Sequence, residues 1–137
     1  MPTATITYQG DLRTVATHIA SGKSIVTDAP IDNHGKGEAF SPSDLLCTSL
    51  GCCILTIMGI AARTHHINME GTTAAVTKTM SSDAPRRVVK IAVTIQMPSD
   101  KTYAAKEKKI LENAAKACPV GNSIHPDIDE VVQFIWA

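Results

Sequence analysis

The sequence predicts an α+β fold: a mainly antiparallel sheet wrapped around one long, buried central helix. Three observations point there. Residues 45–62 (LLCTSLGCCILTIMGIAA) form a stretch without a single charge, directly behind a well-marked helix start. Alternating stretches at 3–10 and 12–20, and again at 69–80 and 87–97, come in neighbouring pairs joined by short turns, the pattern of local hairpins. Strands and helices are segregated along the chain and do not alternate one by one, which separates this class from a doubly wound parallel sheet.

Each element follows from its residues. TATITYQG (3–10) alternates and ends at a Gly10-Asp11 turn. LRTVATHIA (12–20) alternates again, Ser21-Gly22-Lys23 turns the chain, and Ser24–Thr27 completes a small antiparallel meander. Residues 28–40 (DAPIDNHGKGEAF), with Pro30, Gly35 and Gly37, read as a surface loop. Ser41 suits a helix N-cap, Pro42 the first helical position, and Asp44 the third, where its carboxylate can reach back to the cap. That helix should run to about Thr64 and span about 35 Å. In RVVKIAVTIQM (87–97), Val89, Ile91, Val93, Ile95 and Met97 occupy one face. SSDAP links this strand to the preceding one as an antiparallel hairpin. KTYAAKEKKILENAAKA (101–117) is a second, amphipathic helix. A short helix over VGNSI and a closing strand at 128–137 finish the chain.

The 137 residues are read as one domain, 1–137. Thirteen basic and thirteen acidic residues give zero formal charge, which argues against nucleic acid and against an anionic membrane surface as partner. The uncharged run contains Thr48, Ser49, Gly51, Thr56 and Gly59 and lacks basic or aromatic flanks, so it reads as a core helix and not a membrane span. A helix apolar on every side needs more cover than one small sheet supplies, which suggests a dimer. MPTATITYQG has neither basic nor apolar signal regions, so a reducing cytoplasm is the expected compartment.

Four cysteines are too few for a disulfide scaffold in a chain of this length. Cys118 precedes Pro119, which would place its sulfur near the N-terminus of the short helix, where unpaired N–H groups lower a thiol pKa. The alternative is a small buried residue ending a helix. Cys52 and Cys53 are about 100° apart on the central helix and cannot pair with each other. Cys47, Cys52 and Cys53 can all be read as core filler, and spacing alone does not choose among them. No metal-ligand spacing is present, the five histidines are scattered or divergent, and GKG (35–37) lacks the spacing of a phosphate loop, so neither metal nor cofactor is expected.

Two stretches, SPSDLLCTSLGCC (41–53) and ACPV (117–120), together with the element order, resemble the OsmC/Ohr family of small thiol-dependent peroxidases. In that family the first cysteine lies eleven residues after the helix-start proline, which here selects Cys53; the second motif selects Cys118. The resemblance implies an intertwined homodimer with two interface sites. Each would pair a peroxidatic Cys53 with a resolving Cys118, reduce an organic hydroperoxide through a Cys53 sulfenic acid and a Cys53–Cys118 disulfide, and be recharged by an external dithiol, for which the resemblance implies a lipoyl type. An apolar pocket disfavours a bare thiolate, so a cation is required beside it. Better-characterised branches use a Glu just after the helix-start proline to position an N-terminal Arg; this chain has Ser43 there, with Asp44 next, and Arg13 is the candidate arginine because no other precedes the helix. The competing reading is a non-enzymatic dimer of the same fold that binds an apolar ligand at its interface, with a passive or redox-sensing thiol pair.

Overall fold

A computed structural model describes residues 1–136. It contains two compact units, Met1–Leu46 and Cys47–Ala137. In the first, β1 (Ala4–Gly10), β2 (Arg13–His18) and β3 (Ser24–Asp28) form an antiparallel sheet in that order. The 28–40 stretch is a loop as expected, tightened by one 3-10 turn at Ile31–Asn33. Gly35 is required there: a Cβ would collide with the backbone carbonyl of Ala29.

Helix α1 spans Pro42–Thr64, the boundaries its sequence signals predict. The start is a reciprocal cap: Asp44 N–H donates to Ser41 Oγ at 3.0 Å, and Ser41 N–H donates to Asp44 Oδ2 at 2.9 Å. By length and composition α1 could cross a membrane. Its stripe of Cys47, Leu50, Ile54, Met58 and Ala62 is instead built into the core of the second unit.

That core is completed by a sheet of β4 (Thr73–Met80), β5 (Val88–Gln96) and β6 (Asp129–Ile135), and by α2 (Ala105–Ala115). β4 and β5 form the expected antiparallel hairpin, and Ile91, Val93, Ile95 and Met97 are buried on one face. β6 pairs with β5 in parallel. The chain reaches that parallel register by crossing over through α2, the kind of long connection a parallel pair needs.

Three expected segments are shorter or absent. Residues 69–72 form a turn before β4, with Thr72 N–H donating to Met69 O at 3.1 Å. Helix α2 starts at Ala105, not 101, because the Glu107 carboxylate accepts the Ala104 N–H at 2.8 Å and fixes the N-terminus there. VGNSI is not a helix but a series of turns, held by Asn122 N–H to Cys118 O at 3.2 Å and Ile124 N–H to Val120 O at 3.1 Å. Of the closing stretch, Ala137 lies outside the described residues.

Helix α1 packs against β4 at Gly51, where a Cβ would lie 2.7 Å from Val76 Cγ2. Gly51→Ala should gain up to about 1 kcal/mol of helix propensity but lose about 1–3 kcal/mol to overpacking against a stiff β-branched side chain. The expected result is net destabilisation, read as a lower urea midpoint with unchanged m-value; a raised midpoint would show that helix and strand move apart freely.

Candidate active site

The two cysteines singled out by the sequence come together in the second unit. α1 carries Cys53, half-buried and packed against the core. Cys118, buried, follows α2 at the turn that leads towards β6. Cys53 is the neighbouring ionisable group that acts on the Cys118 thiol. All four cysteines are free thiols: Cys47 is buried among the core residues, and Cys52 is exposed on the side of α1 away from that stripe. Adjacent positions on one helix thus separate an exposed sulfur from one aimed at a partner, as the helical angle requires.

The electrostatics of Cys118 differ from the expectation. Burial, the hydrogen bond with Cys53 and the charge on Cys53 all push its pKa up. The backbone N–H groups of Gly121 and Val120 pull it down, which is the effect anticipated for a sulfur at a helix start. There is no helix behind them to add a dipole, and the upward causes win. Cys118 therefore keeps its proton at neutral pH.

Arg13 belongs to the first unit, on β2. Its Nε donates to Asp28 Oδ1 at 2.7 Å and its Nη2 to Asp28 Oδ2 at 2.8 Å, a two-pronged pair across the β2–β3 ladder, where the two residues are register partners. Nη2 also donates to Glu38 Oε1 at 3.1 Å, and Glu38 N–H donates to Asp28 Oδ2 at 3.1 Å. The guanidinium holds the Asp28 carboxyl below the usual carboxylate range, by its hydrogen bond more than by charge alone; burial opposes this and loses. Beside Glu38 lies an open groove of about 580 Å³ whose apolar lining includes Ile25, Val26, Ala39 and Phe40.

Asp28 and Glu38 escaped the sequence reading. The available signal was register. Hairpin pairs are symmetric about the Ala20–Ser21 bond, because the turn runs from His18 to Lys23, with His18 N–H donating to Lys23 O at 2.8 Å. A turn centred on Gly22 sets Arg13 opposite a loop residue and hides Asp28. No cluster of three or more metal-ligating side chains occurs among the described residues.

A family model described as OsmC-like protein matches residues 35–131, a stretch that includes Cys53 and Cys118. The chain belongs to the OsmC family. A solved protein from Psychrobacter arcticus 273-4, provisionally described as an osmotic stress induced and detoxification response protein, is 53% identical, with a TM-score of 0.92 over 98% of this chain and 96% of that one. An organic hydroperoxide resistance protein OsmC from Legionella pneumophila shares the OsmC fold at 14% identity, with a TM-score of 0.74 over 98% and 97% of the two chains. An organic hydroperoxide resistance protein from Elizabethkingia anophelis, solved with thiocyanate bound, does so at 13% identity, with a TM-score of 0.75 over 100% and 98%. No curated protein matches the sequence. Arg13 and Asp28 precede the stretch matched by the OsmC family model.

Proposed function

We propose that this OsmC-family protein is a thiol-dependent peroxidase that reduces organic hydroperoxides to alcohols. The observation that carries the reading is the meeting of the Cys118 thiol with Cys53 in a partly apolar setting. Inert core cysteines have no need of a hydrogen-bonded sulfur partner, whereas a sulfenic acid needs one. In the first step the Cys53 thiolate attacks the terminal oxygen of ROOH. The O–O bond breaks, RO⁻ takes up a proton and leaves as ROH, and Cys53 becomes a sulfenic acid. In the second step Cys118 gives up its proton and attacks the Cys53 sulfur. The S–O bond breaks, hydroxide takes up a proton and leaves as water, and a Cys53–Cys118 disulfide remains. An external dithiol, for which a lipoyl-type compound is the candidate, reduces the pair and is oxidised to its own disulfide.

Arg13 is assigned to the Cys53 thiolate as its cationic partner. The protein is read as a cytoplasmic homodimer. Support for the dimer comes from uncovered apolar side chains: Leu46 and Ile60 of α1 are 41% and 59% exposed, and Ile6, Tyr8, Ile25 and Phe40 of the first unit are exposed as well. The deciding experiment mixes the reduced protein with one equivalent of cumene hydroperoxide. Cumyl alcohol and a protein lighter by two hydrogens, with the Cys53 and Cys118 peptides linked, are expected. Recovery of intact hydroperoxide and four free thiols would leave the non-enzymatic ligand-binding dimer.

A further inference from the structure

Helix α2 carries a charge pattern that its own packing does not use. By helical spacing Lys106, Lys109 and Asn113 share one side of α2, and Lys116, which caps its C-terminal end, continues that side. All four residues are exposed. None of the three lysine side chains makes a hydrogen bond or ion pair with any described residue. The acids nearby on α2 are engaged elsewhere. Glu107 accepts the Ala104 N–H at 2.8 Å. Glu112 stands four residues before Lys116, a favourable spacing for a pair, yet its Oε1 accepts the Trp136 indole N–H at 3.1 Å. Lys108 turns to that same indole, 5.6 Å from the ring centroid. Two rules of helix electrostatics are broken on the lysine side. Lys106 sits in the first turn, at the positive end of the dipole, and Lys106 and Lys109 are like charges three residues apart. Each arrangement costs about 0.2–1 kcal/mol. No contact among the described residues offsets these costs, and a local rule broken without compensation points to function.

We propose that this lysine face docks an acidic protein that carries the reducing dithiol. The proposal rests on the reading above that an external dithiol reduces a Cys53–Cys118 disulfide. Position supports it: Lys116 is two residues from Cys118, and the face extends from there about 15 Å along α2 to Lys106. Charge supports it too. The whole chain has zero formal net charge, so three lysines without acids form a local concentration, too small for the many phosphate contacts of a nucleic-acid binder. Cys118 is 2% exposed and Cys53 only half-buried, so the incoming thiolate attacks Cys53. A bond forms between the partner's first sulfur and Cys53 as the bond to Cys118 breaks, and Cys118 takes up a proton. The partner's second thiolate then attacks its own first sulfur, Cys53 leaves as a thiolate, and the partner departs with its own disulfide. The lysines take no part in these bonds. They raise the rate of productive encounter, which charge steering increases by about 10–10³-fold.

The test starts from protein oxidised with diamide, which makes the disulfide without any hydroperoxide. Two peptides bearing a reduced lipoyl-lysine are compared as reductants, one flanked by aspartates and the other by asparagines in their place. The quantity read is the ratio of their second-order rates, acidic over neutral, which a general loss of structure does not move. A ratio of about ten is expected for wild type at about 0.01 M salt. It should fall towards one at about 1 M, as the Debye length shrinks from about 30 Å to about 3 Å. With Lys106→Gln, Lys109→Gln and Lys116→Gln combined, the ratio should be near one at both salt concentrations; glutamine keeps the helix propensity and removes the charge. A wild-type ratio near one at low salt overturns the proposal, and so does a triple variant that keeps the wild-type ratio. Wild-type protein that holds duplex DNA or phosphatidylserine vesicles through these lysines, with no preference between the peptides, overturns it as well and gives the face to a polyanion. If diamide links no Cys53 to Cys118, the peroxidase cycle fails at its second step and the docking face falls with it. A disulfide that forms and is reduced without charge preference removes the docking face alone.

Discussion

Cys53→Ser is expected to lower the rate of hydroperoxide reduction by at least about 10³-fold, while Cys52→Ser stays within about twofold of wild type. The first figure follows from what is removed. Losing a single supporting donor costs a reaction about 10²–10³-fold, and losing the nucleophile must exceed that. A serine hydroxyl at the same place is nearly isosteric but does not ionise near neutral pH, so the fold should survive while the chemistry does not. The second figure follows from the helix. Cys52 is one step, about 100°, around α1 from Cys53 and is exposed, with no role in the Cys53–Cys118 contact. Stopped-flow rates with cumene and tert-butyl hydroperoxide separate the two variants. Equal rates in Cys53→Ser and wild type would remove the peroxidase reading; a large loss in Cys52→Ser would transfer the nucleophile's role to its neighbour.

The features that could be read from the sequence are those whose causes are local. Ser41, Pro42 and Asp44 act within one turn of each other, so the start of α1 follows from them directly, and the alternation of Ile91, Val93 and Ile95 marks the inner face of β5 without reference to anything else. Where a cause lies a few residues outside the pattern, the boundaries shift. The Lys-rich composition of 101–117 favours helix throughout, but one carboxylate, Glu107, decides where α2 begins. The charge-free stretch of α1 shows that the helix is apolar all round, whereas the residues it buries in the core of the second unit form one stripe. Cys53 and Cys118 are distant in sequence and are joined only by tertiary packing. Family resemblance could select them; spacing could not. The partners of Arg13 were hidden for another reason, since the length of one hairpin turn decides which residue faces the arginine, and a tight turn and a six-residue turn contain the same small residues.

Cys118→Ser should separate the two halves of the cycle. The first step needs only Cys53, so a single equivalent of hydroperoxide is expected to be consumed within about threefold of the wild-type rate. The product should then stop at the sulfenic acid, visible as a gain of one oxygen on the Cys53 peptide and as capture by dimedone. Turnover with a dithiol should fall on the order of 10²-fold, because reduction then waits for an external thiol in place of a neighbouring one. The raised pKa of Cys118 gives the wild-type resolving step a pH signature. The thiolate is the attacking species, and below the pKa its fraction rises about tenfold per pH unit. Burial, the largest cause of the upward shift, persists after Cys53 is oxidised. Disulfide formation should therefore accelerate from pH 6 to pH 8. The Cys53–Cys118 contact can be tested separately in Cys53→Ala. That variant removes the hydrogen bond and the charge that push the Cys118 pKa up, so the midpoint for alkylation of Cys118 should move to lower pH. An unchanged midpoint would mean that the two sulfurs do not interact in solution, and a resolving step independent of pH would mean that Cys118 does not attack as a thiolate.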